Sequence, residues 1–114
     1  MKAPGIRTAI PQRRYKLGDF SVVVLGDIES DDGIDYRYVF AAVRDGESEP
    51  RFYALSVRSP DSSGDFSLRV LGEGMDRELD VSGRWRDIDL FCDQAVALAQ
   101  QVLDMGDEQA WRLM

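Results

Sequence analysis

The sequence predicts an α+β fold: a five-stranded antiparallel meander sheet followed by one C-terminal amphipathic helix packed on one face. Three observations carry that expectation. Five short runs between Phe20 and Val81 alternate apolar and polar residues or are β-branched throughout. Turn-forming clusters of Gly, Asp, Ser and Pro separate them at close intervals, which suits neighbouring antiparallel strands. From Asp87 onward the apolar period changes from two to that of a helix.

The first run, Phe20–Ile28, places Phe20, Val22, Val24 and Ile28 on one face and Val23 and Leu25 on the other, the pattern of a strand covered on both sides. Glu29-Ser30-Asp31-Asp32-Gly33 breaks it. The second, Ile34–Arg44, sets Tyr36, Tyr38, Phe40 and Ala42 against Arg37, Val39, Ala41 and Val43. Asp45-Gly46 is a turn signal, and the third run follows from Arg51 to Arg58. Ser59-Pro60-Asp61-Ser62-Ser63-Gly64 is the most loop-like segment of the body. The fourth run, Phe66–Leu71, points Phe66, Leu68 and Val70 one way. After Gly72-Glu73-Gly74, a short fifth run, Arg77–Val81, carries Leu79 and Val81 inward.

The helix is expected from Asp87 to about Met105. Ile88, Phe91, Cys92, Ala95, Val96, Ala99, Val102 and Leu103 form its stripe; Asp87 is placed to cap it and Gly106 to stop it. Beyond it, Trp111, Leu113 and Met114 make an apolar tail expected to fold back or to reach a partner.

A length of 114 residues predicts one domain with a sizeable core. Residues 1–14, punctuated by Pro4, Gly5 and Pro11, read as a flexible basic arm, and residues 15–114 as a single α+β domain. Net charge is -7, unevenly spread. Lys2, Arg7, Arg13, Arg14 and Lys16 lead the chain without an acid among them, whereas the remainder sets nine arginines against all 21 acids. One cysteine permits no internal disulfide and points to a reducing compartment. No signal-peptide-like or membrane-spanning run stands out, so a cytoplasmic, soluble protein without membrane contact is expected.

The inventory excludes much chemistry. With no histidine, the commonest general base and metal ligand is missing. Cys92 falls on the apolar helix stripe, which suits a small buried hydrophobe better than a thiolate. Asp27-Ile-Glu29-Ser-Asp31-Asp32-Gly33-Ile-Asp35 spaces carboxylates as a calcium loop would. Taken from Asp27, however, Asp32 stands where such a loop needs glycine and Tyr38 where it needs glutamate. No catalytic residue, metal or cofactor is expected, and the chain reads as a non-enzyme.

Two kinds of binding remain. Val23, Leu25, Val39, Val43, Leu55 and Val57 leave apolar surface that one helix cannot cover, which predicts a protein-interaction or assembly domain, homodimeric or bound to another protein. The alternative is single-stranded nucleic acid, held by the basic arm and an arginine-tyrosine sheet face through Arg13, Arg14, Lys16, Arg37, Tyr53 and Arg69. The layout resembles that of single-strand-binding transcriptional coactivators, with no motif matched residue by residue. The acidic body opposes that reading. Between helix and sheet, Phe40, Phe66, Leu68 and Phe91 would line any small-ligand pocket, but close packing of these residues is the expected outcome.

Overall fold

Alternating β-branched and aromatic residues build one antiparallel sheet, which the computed structural model describes over residues 2–60 and 64–114. The sheet has seven strands rather than five: β1 (Ile6–Leu17), β2 (Phe20–Ser30), β3 (Tyr36–Arg44), β4 (Pro50–Arg58), β5 (Phe66–Gly72), β6 (Met75–Ser82) and β7 (Ala110–Arg112). Their order in space is β6-β5-β4-β3-β2-β1-β7, so six strands form a meander and β7 closes on β1. A short 3-10 turn, Gly83–Arg86, leads into the helix α1 (Ile88–Val102). Residues 61–63 of the expected loop lie outside the described residues.

The helix forms where the periodicity placed it. Asp87 caps it, its carboxylate accepting from Asp89 N at 2.9 Å and Leu90 N at 3.1 Å. Its buried stripe, Phe91, Cys92, Ala95 and Ala99, packs on Tyr15, Leu17, Phe20, Val22, Val24, Tyr38, Phe40, Phe52, Phe66, Leu68 and Val70. Phe91 stacks on Tyr38 with ring centroids 5.5 Å apart. Beside them, the buried Ser56 hydroxyl donates to the Trp85 carbonyl at 2.6 Å, which ties the 3-10 turn to β4.

Two strands were not legible as strands. Residues 6–14, expected within a flexible arm, form most of β1, antiparallel to β2. The pairing shifts register between Ile6 and Thr8, Thr8 and Ile10, and Pro11 and Arg13. Each such irregularity resets the inside-outside alternation, which hides the strand period from the sequence. The tail strand β7 owes its form to the partner it finds: Tyr15, Lys16 and Leu17 pair with Arg112, Trp111 and Ala110.

Bulges also redistribute side chains between faces. Tyr36 pairs with Val57 but Tyr38 with Ser56, so the residue between them is extra and the two tyrosines part. Tyr38 joins the helix-side core and Tyr36 the opposite face. Ile28 likewise leaves the face of Phe20, Val22 and Val24, beyond Asp27 with its left-handed φ of 46°. On β6, Leu79 and Val81 are exposed rather than inward.

The face away from the helix has a small core of its own. Tyr36, Val39, Ala41, Tyr53, Leu55 and Leu71 are buried there, and Ile6 and Ile28 from the far ends of β1 and β2 pack against them. Gly5 draws the chain before β1 onto the same end. Its N–H donates to Asp32 at 2.8 Å and its carbonyl accepts from Asp31 N at 2.9 Å. A Cβ at Gly5 would run into the Asp31 carboxylate and the Asp32 side chain.

Candidate functional site

The six residues proposed to hold nucleic acid do not share one surface. Arg13 is buried under α1, where it donates to Asp89 and lies 3.4 Å from the Tyr15 hydroxyl. That bond to Asp89 outweighs the effect of burial and strengthens its hold on the proton. Tyr53 is buried in the small core of the opposite face. Arg69 is held by Asp76 at 3.0 Å and Glu78 at 3.7 Å. Lys16 pairs with Asp45. Arg37 is exposed at the start of β3, its guanidinium 5.0 Å from the Tyr38 ring centroid. Arg14 is exposed on β1. Among the described residues, only Arg14 and Arg37 of the five cations make no ion pair.

Other proposed sites dissolve into packing. Phe40, Phe66, Leu68 and Phe91 are almost fully buried and pack together in the helix-side core. Asp32, central to the acidic loop, accepts from Gly5 N, Ile34 N at 3.1 Å and Tyr36 Oη at 2.6 Å. Burial raises its proton affinity, but these three donors outweigh that and hold it below the usual carboxylate range. Burial pushes the Cys92 thiol up, which keeps it protonated and unreactive. Among the described residues, no three Asp, Glu or Cys side chains gather closely enough to hold a metal ion. No helix is long and apolar enough to cross a membrane.

What sequence reasoning did not locate is a concentration of exposed apolar side chains at one margin of the sheet. Leu113 is 67% exposed, Trp111 66%, Ile10 55% and Met114 49%. These are the four most exposed large hydrophobics among the described residues, and all lie on β1, on β7 or directly after it. Backbone pairing fixes their arrangement. Trp111 is the cross-strand partner of Lys16, so both project to one face. Leu113 N donates to Arg14 O at 2.7 Å, and Arg14 N donates to Met114 O at 3.4 Å. The exposed indole thus stands opposite Lys16, with Leu113 and Met114 beside Arg14, whereas Ile10, opposite Gly26, projects to the helix side further along β1. The signal in the sequence was the aromatic-aliphatic tail itself; only its pairing with β1 shows which face it joins.

Two stretches of sheet edge are protected against addition of another strand. The part of β1 that β7 leaves uncovered carries Pro11 and three register shifts, and the outer strand β6 carries Asp76, Glu78 and Asp80. Proline, bulges and charge on an edge are the usual barriers to strand pairing.

No protein-family model matches the chain, and no curated protein or solved structure matches it either.

Proposed function

We propose that this protein is a small, non-enzymatic interaction module that associates with a second copy of itself through the β1–β7 margin. The observation that carries the reading is the exposed set Trp111, Leu113 and Met114, gathered where β7 closes on β1 at one edge of the sheet. The apolar residues that first suggested a dimer do not carry it. Val39 and Leu55 are buried within the chain itself, and Val23, Leu25 and Val57 pack against the same core. An aromatic anchor ringed by smaller apolar side chains is the composition of an interface centre.

Sedimentation velocity of the full chain against concentration tests this. The wild type is expected to pass from monomer to dimer, and Trp111→Ser to stay monomeric at concentrations where the wild type has dimerised. A wild type that stays monomeric at high micromolar concentration refutes the reading.

One observation favours single-stranded nucleic acid as a second reading. Trp111 stands opposite Lys16, with Arg14 two residues along the same strand, and an exposed ring beside cations is how bases and phosphates are held together. Salt separates the two. Binding to a polyanion weakens steeply as salt rises. Self-association that brings Arg14 of both copies together holds or strengthens, because the like charges are screened.

A further inference from the structure

We infer that the sheet face opposite the helix contains a binding site for a small, uncharged and mainly apolar ligand, with the segment before β1 as its lid. A cleft of about 320 Å³ lies between residues Lys2–Pro4 and a floor made of Tyr36, Leu55, Val57 and Leu71. That volume falls at the small end of the range for ligand sites, roughly 300–1,000 Å³. The small core beneath supports the floor: Tyr36, Leu55 and Leu71 are each buried and belong to the cluster built on β3, β4 and β5.

The charges at the rim decide the ligand's chemistry. Arg69 is held between Asp76 and Glu78. Asp32 accepts from the Gly5 and Ile34 amides and the Tyr36 hydroxyl. Lys2 is exposed to solvent at the outer end of the lid. Apart from Lys2 at the outer end of the lid, the walls therefore offer no unsatisfied ion to a charged ligand, and such a ligand reaching the floor would lose its hydration without a partner. An apolar ligand meets no such cost and gains by covering Val57 and Ile34, the incompletely buried apolar side chains of the lining.

The lid is fastened at one place. Gly5 joins Asp31 and Asp32 by two hydrogen bonds, while Lys2 and Ala3 are exposed and Pro4 is half-buried. Release of that fastening frees Lys2–Pro4 from the mouth of the cleft.

Fluorescence titration of the full chain with phenylnaphthylamine, an uncharged apolar probe, tests the site. One saturable site per chain is expected. Val57→Trp, which fills the cleft from a half-buried position, and Val57→Ser, which makes its floor polar, should each weaken binding about tenfold or more. Thermal melts check that both variants fold. Asp32→Asn should speed both entry and release in stopped-flow mixing, since it weakens the lid's fastening. The anionic probe anilinonaphthalene sulfonate should bind at least about tenfold more weakly than the neutral one. The inference is overturned by the absence of saturable binding in wild type and Asp32→Asn, by two Val57 variants that bind like wild type, or by equal affinity for the anion. A probe displaced by Trp111→Ser and indifferent to Val57 would likewise overturn it.

Discussion

Truncating Phe91 to alanine probes the joint on which the whole two-layer arrangement depends. Phe91 is fully buried, stacks on Tyr38 of β3 and begins the buried stripe of the helix. α1 is the one α-helix among the described residues, so the cavity cannot be refilled by a neighbouring helix. Removing a buried phenyl ring from such a site costs about 3–5 kcal/mol, transfer and cavity together. A chain of this length has a total stability of about 5–15 kcal/mol. At roughly 4 °C of Tm per kcal/mol, the variant should melt about 12–20 °C below wild type. Leu90, the preceding residue, is 45% exposed, and its replacement by alanine should change stability by less than about 0.5 kcal/mol. Urea unfolding followed by far-UV circular dichroism measures both. A loss below about 1.5 kcal/mol for Phe91→Ala, or an equal loss for Leu90→Ala, would refute the helix register and the face it buries.

Further expectations follow from the caps, the lid and the titrating groups. Asp87→Ala removes the acceptor for two amides at the start of α1 and should cost about 1 kcal/mol by chemical denaturation, while Asp87→Ser should recover most of it. Gly5→Ala forces a Cβ against Asp31 and Asp32; amide exchange at Gly5 position and at Ile34 should quicken while core amides keep their protection, and a uniform loss would contradict a local fastening. Burial raises the Cys92 thiol above its ordinary 9.0, and burial, then the bond to Asp32, raises the Tyr36 phenol above its ordinary 10.0. Between those ordinary values and the raised folded ones, the unfolded chain has released protons that the folded chain still holds. Stability is then full below about pH 9 and falls as pH rises further. Urea midpoints that stay level from pH 8 to roughly pH 10.5 would contradict this.

Much of the architecture was legible because it rests on local periodicity. Val22 and Val24 inside, Phe66, Leu68 and Val70 inside, and the Phe91–Ala99 stripe all follow from one residue's spacing to the next, and the structure keeps them. What was hidden depends on long-range pairing. Arg13 points inward because Asp89 meets it across 76 positions of sequence, so a basic residue sits in a row that would otherwise read as apolar. Tyr36 and Ile28 change faces at bulges that no local pattern announces. The strand β7 is three residues long and takes its form from pairing with β1.

The candidate surface was half legible for the same reason. Trp111, Leu113 and Met114 are visible as an apolar tail, but not as neighbours of Arg14 and Lys16, because the pairing that joins them spans almost the whole length of the sequence. Conversely, Arg69 and Tyr53 looked available on an open sheet. The ion pairs to Asp76 and Glu78, and the small core around Tyr53, engage them instead.

The most direct measurement is acrylamide quenching of Trp111 fluorescence in a Trp85→Phe variant across protein concentration. Trp85 is buried, so its removal leaves a reporter that stands two-thirds exposed in the monomer. Association through the β1–β7 margin predicts ready quenching at low concentration and progressive protection with a blue-shifted emission as concentration rises. Quenching that stays equally efficient while sedimentation shows a dimer would place the contact elsewhere, and unchanging quenching of a persistent monomer would contradict self-association altogether.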